Sequence, residues 1–310
     1  MPAPPFDVIA LGEGMVEFNQ TTPGEPQYLQ GFGGDTSNAV IAAARAGATT
    51  AYLTRVGADR FGDDLLQLWR SEGVDVGGID RDDDAPTGLY FVTHGPRGHE
   101  FSYRRAGSAA SRMTPEWLRE PHRLAFVRGT RLLHVSGISL AISPSAKETA
   151  LQAMREARQA GARVAFDANL RLKLWTLEDA RRGIEAAVRE CDVFLPSLDD
   201  VTALTGMSDP AAILDWGHAA GAATVVLKLG SDGCVVSHAG QRQAIAAHRV
   251  QAVDATGAGD CFSGNLLARL AAGDDVFAAA RYANAAAALA VQGWGAVAPL
   301  PRPTAVRTLL

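Results

Sequence analysis

The sequence predicts an α/β fold in which a mostly parallel central sheet is covered by helices on both faces, and three observations support it. Short β-branched runs alternate with alanine-rich segments of helical period along most of the 310 residues. Hydrophobic residues make up 47% of the chain, which is enough for the core of one large domain. Two strand-like stretches interrupt the alternation. We therefore expect a single domain over residues 1–310 that carries a small additional sheet.

The individual elements follow from the same periodicity. Core strands are expected over 7–11, 50–56, 132–136, 163–167, 193–195 and 224–229. Helices are expected between them, over 35–46, 144–160, 177–189 and 209–219. Gly47 and Gly161 stand where helices should end, and Ser143 followed by Pro144 is typical of a helix start.

The interrupting stretches are 13–32 and 87–105. In the second, Leu-Tyr-Phe-Val-Thr turns through Gly95-Pro-Arg-Gly98 into Glu-Phe-Ser-Tyr-Arg-Arg, a β-hairpin pattern. The two stretches are separated by an α/β unit, so we expect them to pair as a discontinuous sheet within about 13–34 and 86–106, lying over the site as a lid. Its exposed edge favours a homodimer, or a higher homo-oligomer, through the lid.

The amino-acid composition limits the classes of molecule that the protein is expected to bind. The formal net charge of -5 comes from interspersed charges, so no basic face indicates nucleic acid or an anionic membrane, and a small molecule is favoured. No charged and apolar leader follows Met1, and no run is long enough to cross a bilayer. The cysteines are Cys191, Cys234 and Cys261, an odd and widely spaced set that fits reduced core thiols. These features favour the cytoplasm.

The most informative segment is Asp-Ala-Thr-Gly-Ala-Gly-Asp at 254–260, followed by a helical pattern up to Gly273. Glycines just before a helix let the backbone approach a ligand, and the first amides of the helix attract a phosphate. Asp260 adds negative charge beside that anion and so needs another role. An aspartate with an ordinary pKa of roughly 4 is ionised and can accept a proton from a hydroxyl during phosphoryl transfer. Alternatively, 257–260 is a tight turn in which Asp260 caps its helix.

The run 254–260 closely resembles the C-terminal motif of the ribokinase-like (PfkB) carbohydrate kinases. Gly33-Gly34-Asp-Thr-Ser-Asn38, at a helix start, resembles the family's N-terminal glycine motif, and the two interrupting stretches resemble its β lid. The resemblance spans nearly the whole chain. It implies a ribokinase-like three-layer αβα sandwich and a phosphotransferase that uses ATP and Mg²⁺ on an alcohol acceptor.

The resemblance also implies roles for individual positions. The catalytic set would be Asp260 as the base with Gly257, Ala258 and Gly259 as the anion hole. The nucleotide would be bound by Ser197, Lys228, Gly230, Gly233, Ala258, Gly259 and Asn284. The substrate would contact Gly33, Gly34, Asn38, Tyr90, Tyr103, Arg105, Arg171 and Asp260.

Several of these residues have a plainer explanation. Lys228 could be an exposed lysine at a strand end, Asn284 a helix residue packed by its amide, and Asp35 simply the N-cap of its helix. His134 lies inside an apolar strand and is expected in the core rather than at a ligand.

The sequence departs from the family at one element. The family often carries Asn-x-x-Glu after the strand that here ends at Pro196, whereas this chain has Ser197-Leu-Asp-Asp200. Serine and aspartate oxygens could reach phosphates or waters on Mg²⁺, so the direct metal ligands are left unassigned. Asp199 and Asp200 could also simply open the next helix. The resemblance further permits a monovalent cation near Asp254 and the loop 293–296.

Arginines indicate the substrate class. Arg105 and Arg171, aimed at a small site, imply a carboxylate or phosphate, while Arg104 should face the opposite side of its strand. Runs at 102–111, 133–138 and 167–171 resemble the subfamily that phosphorylates 2-keto-3-deoxygluconate, which implies transfer to the terminal hydroxyl and a 6-phosphate product. The alternatives are a kinase for a neutral sugar of the fructose or ribose type and a non-catalytic nucleotide-binding sensor of the same fold.

Overall fold

The computed structural model describes residues 5–95 and 98–310. Met1, at the start of the chain, and the two middle residues of the predicted turn 95–98 lie outside the described residues. The strands are β1 Phe6–Leu11, β2 Met15–Gln20, β3 Tyr28–Gly33, β4 Thr50–Gly57, β5 Val74–Asp75, β6 Ile79–Asp82, β7 Leu89–Gly95, β8 Gly98–Arg104, β9 Thr130–Ser136, β10 Arg163–Asp167, β11 Val193–Phe194, β12 Thr224–Lys228, β13 Cys234–His238 and β14 Gln241–Ile245. The helices are α1 Asp35–Arg45, α2 Arg60–Ser71, α3 Pro115–Arg119, α4 Pro121–Arg128, α5 Gly137–Ala141, α6 Pro144–Gln159, α7 Leu177–Arg189, α8 Leu198–Thr205, α9 Pro210–Ala220, α10 Ala258–Ala271, α11 Val276–Ala290 and α12 Pro303–Leu309.

The central sheet has the order β14-β13-β12-β11-β10-β9-β1-β4-β5, with β6 also paired to β4. The strands from β12 to β5 are parallel, and β13 and β14 add an antiparallel edge. In a parallel sheet all carboxyl ends lie at one edge, where open α/β sheets bind ligands. The segments that follow β1, β9, β10 and β12 therefore meet at one place.

Helices cover both faces of this sheet, as the alternation of strand side chains requires. Ile9 and Phe166 pack against the layer that contains α6, α7 and α9. Val8 and Ala165, one residue away on the same strands, pack against α10 and α11 on the other face. The predicted mostly parallel sheet with helices on both faces is confirmed. None of the helices in the described chain is long and apolar enough to cross a membrane.

A second sheet, which we call the lid sheet, consists of β3, β2, β7 and β8 in that order. β2 pairs in parallel with β7, and the two outer pairs are antiparallel. The predicted pairing of the two separate stretches and the predicted hairpin are thus confirmed. The boundaries 13–34 and 86–106, and the single-domain division over 1–310, stay predictions.

The predicted punctuation of the helices is also present. Gly47 and Gly161 have φ values of 101° and 87° directly after helices, a conformation that favours glycine. Ser143 caps α6 by accepting a hydrogen bond from the Ala146 amide. The three cysteines are buried and free, and His134 is buried in β9, as expected.

The contact of α1 with α10 depends on one glycine. A Cβ atom built on Gly264 would lie 2.1 Å from the carbonyl oxygen of Ala39, so only glycine allows this approach. We expect Gly264→Val to force the helices apart and to lower the free energy of unfolding by about 1–3 kcal/mol or more. Urea denaturation measures this loss, with Ala219→Val on the exposed face of α9 as the matched control. Equal stabilities of the two variants would contradict the importance of this contact.

Candidate active site

The glycine turn lies directly before α10. Gly257 is the N-cap of this helix with φ 74°, and a Cβ atom at this position would lie 3.0 Å from that of Ala296. No side chain caps the helix. Its first amides are therefore available for a ligand, and a helix N-terminus favours an anion. The alternative in which Asp260 caps its own helix is wrong.

Asp260 instead faces α1. Its Oδ2 accepts a hydrogen bond from Asn38 Nδ2 at 2.8 Å, across 222 residues of sequence. Burial and, to a smaller extent, the negative charge of nearby Asp35 raise the pKa of Asp260 to about 7, although the Asn38 hydrogen bond opposes the rise. The expected ordinary pKa of roughly 4 is therefore wrong, because the sequence does not reveal that the carboxylate is enclosed.

The glycine pair before α1 has a specific steric role. Gly34 has φ 103°, and a Cβ atom there would lie 2.2 Å from the carbonyl oxygen of Glu13. Gly34 is the N-cap of α1, and no side chain caps this helix. The interpretation of Asp35 as the N-cap is therefore wrong. Asp35 Oδ2 accepts a hydrogen bond from Asn169 Nδ2 at 2.9 Å. Among the described residues, Asp35 Oδ1 and Asn38 Oδ1 are buried without a hydrogen-bond partner, so both can accept from a ligand.

The inner face of the lid sheet contributes two tyrosines. Tyr90 donates a hydrogen bond of 2.5 Å to Glu17 Oε2, and its ring centroid lies 5.9 Å from that of Tyr103. Gly33 leaves room for Tyr90, since a Cβ atom there would lie 2.2 Å from the tyrosine oxygen. Burial raises the pKa of Glu17, and the Tyr90 hydrogen bond opposes that rise. Glu17 is a buried acceptor that sequence reasoning missed.

Arg105 is buried at the base of the lid sheet. Its guanidinium forms an ion pair with Glu13, whose other oxygen accepts a hydrogen bond of 2.5 Å from Ser108. Arg105 also lies 5.9 Å from the centre of the Tyr103 ring. Arg104 is exposed, as predicted from strand alternation. Arg105 thus has a built-in counterion that the sequence did not indicate.

Arg171 lies near residues 197–200, the segment in which this sequence differs from the Asn-x-x-Glu pattern of the family. Arg171 Nη1 is 3.9 Å from Asp200 Oδ1. Ser197 Oγ caps α8 by accepting from the Asp200 amide, so this hydroxyl is already used in the fold. Asp199 and Asp200 do occupy the first turn of α8, as the plainer explanation held. The described residues contain no cluster of three metal-ligating side chains.

Lys228 lies at the carboxyl end of β12 and points toward the glycine turn. Its Nζ is 3.5 Å from the position that a Cβ atom of Gly259 would occupy. The same Nζ donates to Asp167 Oδ2 at 2.5 Å, and Ser263 donates to that oxygen at 3.0 Å. The Lys228 side chain is 13% exposed, so the alternative of an exposed strand-end lysine is wrong.

The remaining nucleotide candidates surround the segment 245–247. A Cβ atom on Gly233 would lie 2.0 Å from the Ile245 carbonyl oxygen, whereas Gly230 faces open space. Asn284 Nδ2 donates to the Ala246 carbonyl at 2.7 Å, which agrees with packing by its amide. Nucleotide contacts by Gly230, Gly233 and Asn284 stay predictions.

The loop proposed for a monovalent cation closes against the glycine turn. Asp254 Oδ1 accepts from the Thr256 amide at 2.9 Å, and Oδ2 accepts from the Gly295 amide at 2.9 Å. The carboxylate therefore holds the two loops together. A cation here stays a prediction.

The structure thus joins the predicted residues into two neighbouring groups. One lies under the lid sheet around Asp260, and the other lies around Lys228 and the segment 245–247. Sequence reasoning missed the acidic and hydroxyl partners, namely Glu13, Glu17, Asp35, Asp167 and Ser263. A signal existed for two of them, because Glu13 and Glu17 interrupt an otherwise apolar strand-like run.

This arrangement suits transfer of a charged group to a hydroxyl. A helix N-terminus and the partly buried Lys228 face an anion position. A carboxylate with a pKa near 7 stands beside it, together with acceptors that have no partner in the described chain. The geometry is that of a site that can bind an anion beside a carboxylate able to accept a proton.

The fold and this site define a sugar kinase, and a family model described as pfkB family carbohydrate kinase matches residues 6–303. The chain belongs to that family and is a phosphotransferase. This family membership leaves the sensor alternative without support.

Three curated relatives cover nearly the whole chain. A 2-dehydro-3-deoxygluconokinase from Thermoproteus tenax is 36% identical and covers 98% of this chain and 94% of its own length. The enzyme of that name from Escherichia coli (strain K12) is 32% identical, with 94% and 97% covered. A probable fructokinase-4 from Arabidopsis thaliana is also 32% identical, with 98% and 96% covered. These relatives leave the sugar itself unsettled.

Solved structures agree with the fold. A PfkB protein from Polaromonas sp. JS666 superposes with a TM-score of 0.88 at 30% identity, covering 97% of this chain and 99% of that one. A putative ribokinase II from E. coli in complex with ATP and Mg²⁺ gives a TM-score of 0.89 at 26% identity, covering 97% and 98%. The predicted ribokinase-like three-layer fold is confirmed.

Proposed function

We propose that this protein transfers the γ-phosphoryl group of ATP to the terminal hydroxyl of an acidic keto-sugar, 2-keto-3-deoxygluconate, to give the 6-phosphate. The observation that carries the proposal is the partly buried Asp260 carboxylate, which lies on the first turn of α10 next to the anion position. Asp35 Oδ1 and Asn38 Oδ1, which have no hydrogen-bond partner among the described residues, can accept hydrogen bonds from sugar hydroxyls. The 2-dehydro-3-deoxygluconokinase relatives support the same sugar under its other name.

Asp260 acts as the general base. A base works best when its pKa is near the working pH, and burial brings Asp260 close to that range. Its hydrogen bond with Asn38 fixes the carboxylate toward the bound hydroxyl. Gly257, Ala258 and Gly259 present backbone to the transferring group, and Lys228 adds a positive charge.

Arg105 and Arg171 bind the carboxylate of the substrate. Arg105 Nε has no hydrogen-bond partner among the described residues and is free to donate to a carboxylate. Arg171 is half exposed and offers a second cation. The lid sheet supplies Tyr90 and Tyr103 over the sugar, and closing it excludes water, which is the competing nucleophile.

Mg²⁺ would accompany ATP rather than occupy a site made by protein alone. Mg²⁺ usually keeps several waters and binds one or two carboxylates plus substrate phosphates. Asp200 offers a carboxylate for that limited role. Burial raises its pKa, but the Ser197 hydrogen bond and the charges of Arg171 and Lys228 oppose the rise and favour the ionised form. The bound ion would neutralise charge on the β- and γ-phosphates.

A kinase for a neutral sugar is the second candidate, and one observation favours it. Glu13 neutralises Arg105, which leaves less positive charge for an acidic substrate. The fructokinase relative agrees with this alternative.

The two candidates separate in one assay. ATP consumption is measured with 2-keto-3-deoxygluconate, gluconate, fructose and ribose at equal concentrations, through coupled ADP detection. We expect the highest kcat/KM with 2-keto-3-deoxygluconate. A higher kcat/KM with fructose or ribose would overturn the acidic-sugar assignment in favour of the neutral-sugar kinase.

The homodimer through the lid is part of the proposal. Tyr28 and Leu29, on the edge strand β3, are 39% and 68% exposed, which supports pairing with a second copy. Sedimentation of the wild type and of Leu29→Glu tests it, because a lid-mediated dimer should dissociate in the variant.

The raised pKa of Asp260 predicts the pH dependence. The base must be deprotonated, so kcat/KM should fall as the pH drops through about 7. Asp35→Asn removes a neighbouring negative charge, which lowers the pKa of Asp260 and should move this acid limb to lower pH. A pH profile of both enzymes measures the shift. An acid limb that stays in place, or moves to higher pH, would contradict the role of Asp35.

A further inference from the structure

Asp167 joins three parts of the molecule at the carboxyl edge of the central sheet. It ends β10, and its side chain is 4% exposed. Its Oδ2 accepts from Lys228 on β12 at 2.5 Å and from Ser263 on α10 at 3.0 Å. Its Oδ1 accepts from the Asn169 amide at 3.2 Å. A carboxylate with this many fixed donors holds its neighbours in one arrangement.

Each of these neighbours bears on the candidate reaction. Ser263 lies three residues after Asp260 on the same helix. Lys228 Nζ stands next to Gly259 in the glycine turn. Asn169 has a positive φ of 28° and donates to Asp35 at 2.9 Å. Asp167 therefore contacts the lysine at the anion position and the asparagine that orients an acceptor on the sugar side.

Without the Asp167 carboxylate, the Lys228 ammonium could form an ion pair with another nearby carboxylate. Lysine is a flexible point charge, and its stem has several rotatable bonds. Asp260 and Asp200 both feel the charge of Lys228. The hydrogen bond to Asp167 gives the ammonium a fixed partner other than these two carboxylates.

We propose that Asp167 is a positioning residue for phosphoryl transfer, which holds the Lys228 ammonium beside the glycine turn and away from Asp260. This inference rests on the proposed function, because it assigns the lysine to the transferred phosphate. In this role Asp167 acts through its contacts with Lys228 and Asn169, not by direct contact with the phosphate or the reacting hydroxyl.

The effect of the Asp167–Lys228 pair can be measured through the pKa of Asp260, because several charged groups act on that carboxyl. The charges of Asp35 on α1, Asp167 at the end of β10 and Lys228 at the end of β12 all act on Asp260. Tyr90 of the lid sheet and Cys261 on α10 also lie within electrostatic reach. His134 on β9 also lies near this group, and burial lowers its pKa while the charges of Asp167 and Asp35 oppose that effect. Asp167 raises the pKa of Asp260 and Lys228 lowers it, so removing one or the other should shift it in opposite directions.

The test compares Asp167→Asn, Lys228→Met and Lys228→Arg with the wild type. In ligand-free protein with ¹³C-labelled aspartate, the Asp260 carboxyl signal is identified with Asp260→Asn and followed by pH titration. We expect its pKa to fall in Asp167→Asn and to rise in Lys228→Met. In steady-state assays kcat should drop roughly 100-fold in Lys228→Met, with partial recovery in Lys228→Arg. Lys147→Met on α6 is the matched control.

The KM for ATP distinguishes a positioning role of Asp167 from a general loss of stability. Asp167→Asn should lower kcat at least about tenfold and raise the KM for ATP. Asparagine keeps only one of the two accepting oxygens, so the free energy of unfolding should also fall, and urea denaturation measures that loss separately. If Asp167→Asn does not fold, Ser263→Ala carries the same test with both charges kept, and its KM for ATP should rise.

Two results would overturn the inference: shifts of the Asp260 pKa in the same direction in both variants, or a near-normal kcat in Asp167→Asn. Failure of the proposed function is recognised separately. Near-normal turnover in Asp260→Asn would remove the base, while the titration of the ligand-free protein would still report on the Asp167 and Lys228 pair.

Discussion

Replacing Asp260 with asparagine is expected to lower kcat by roughly 10²- to 10⁴-fold. Asparagine keeps the size of the side chain and one oxygen that can still accept from Asn38, but it cannot accept the hydroxyl proton. The affinity for ATP should be retained, since the change removes a negative charge from the neighbourhood of a polyanion. Steady-state kinetics and ATP titration calorimetry measure the two quantities.

Asp83→Asn is the matched control, because Asp83 is an exposed aspartate outside the site. It should keep wild-type kcat and ATP affinity. If Asp260→Asn kept near-normal turnover, Asp260 would not be the base. A loss of ATP affinity that accounts for the whole effect would make Asp260 a structural residue of the nucleotide side.

Removing the Arg105 charge is expected to produce the second large effect, on the choice of sugar. Arg105→Ala alone would leave Glu13 charged and buried, at a cost of about 3–5 kcal/mol in stability. The informative variant is therefore Glu13→Gln with Arg105→Met, which removes both charges together. A charge-assisted hydrogen bond contributes roughly 1.5–3 kcal/mol. The KM for 2-keto-3-deoxygluconate should therefore rise about 10- to 100-fold, while the KM for fructose changes little.

Arg104→Met serves as the control, since Arg104 is exposed on the same strand. It should leave both KM values unchanged. An equal rise for the acidic and the neutral sugar in the double variant would mean that Arg105 supports the lid base and does not read the acid.

The sequence predicted the central sheet well because strand and helix patterns are local. The predicted boundaries 163–167 and 177–189 coincide with β10 and α7, and the other predicted elements differ by one or two residues at their ends. Strand and helix geometry have periods of two and 3.6 residues, so burial of one face produces a hydrophobic pattern with that period. A single segment of sequence contains this pattern. The glycine turn was predictable for the same reason.

The partners of the site residues were not predictable in this way. Arg105 meets Glu13, and Asp260 meets Asn38 across 222 residues, so these pairs exist only once separate elements have packed. The raised pKa of Asp260 has the same origin, because enclosure by other elements removes water from the carboxylate. Ser197 differs from these cases. Its pattern Ser-x-x-Asp before an apolar run is that of a helix start, and it does cap α8.

Several assignments stay predictions from the sequence. They include nucleotide contacts by Asn284 and Gly233, the monovalent cation near Asp254, the homodimer and the cytoplasmic location. Asn284 and Asp254 already use their side chains to hold loops together. Their contribution to ligand binding would add to that structural role.

The most direct test of the kinase account is the identity of the product. The protein is incubated with MgATP and 2-keto-3-deoxygluconate, and the reaction is followed by ³¹P NMR. We predict loss of the γ-phosphorus signal with equal gain of a phosphate monoester signal split by two protons, as expected for a phosphate on C6. Release of inorganic phosphate alone, or no change in ATP, would contradict phosphoryl transfer to this sugar.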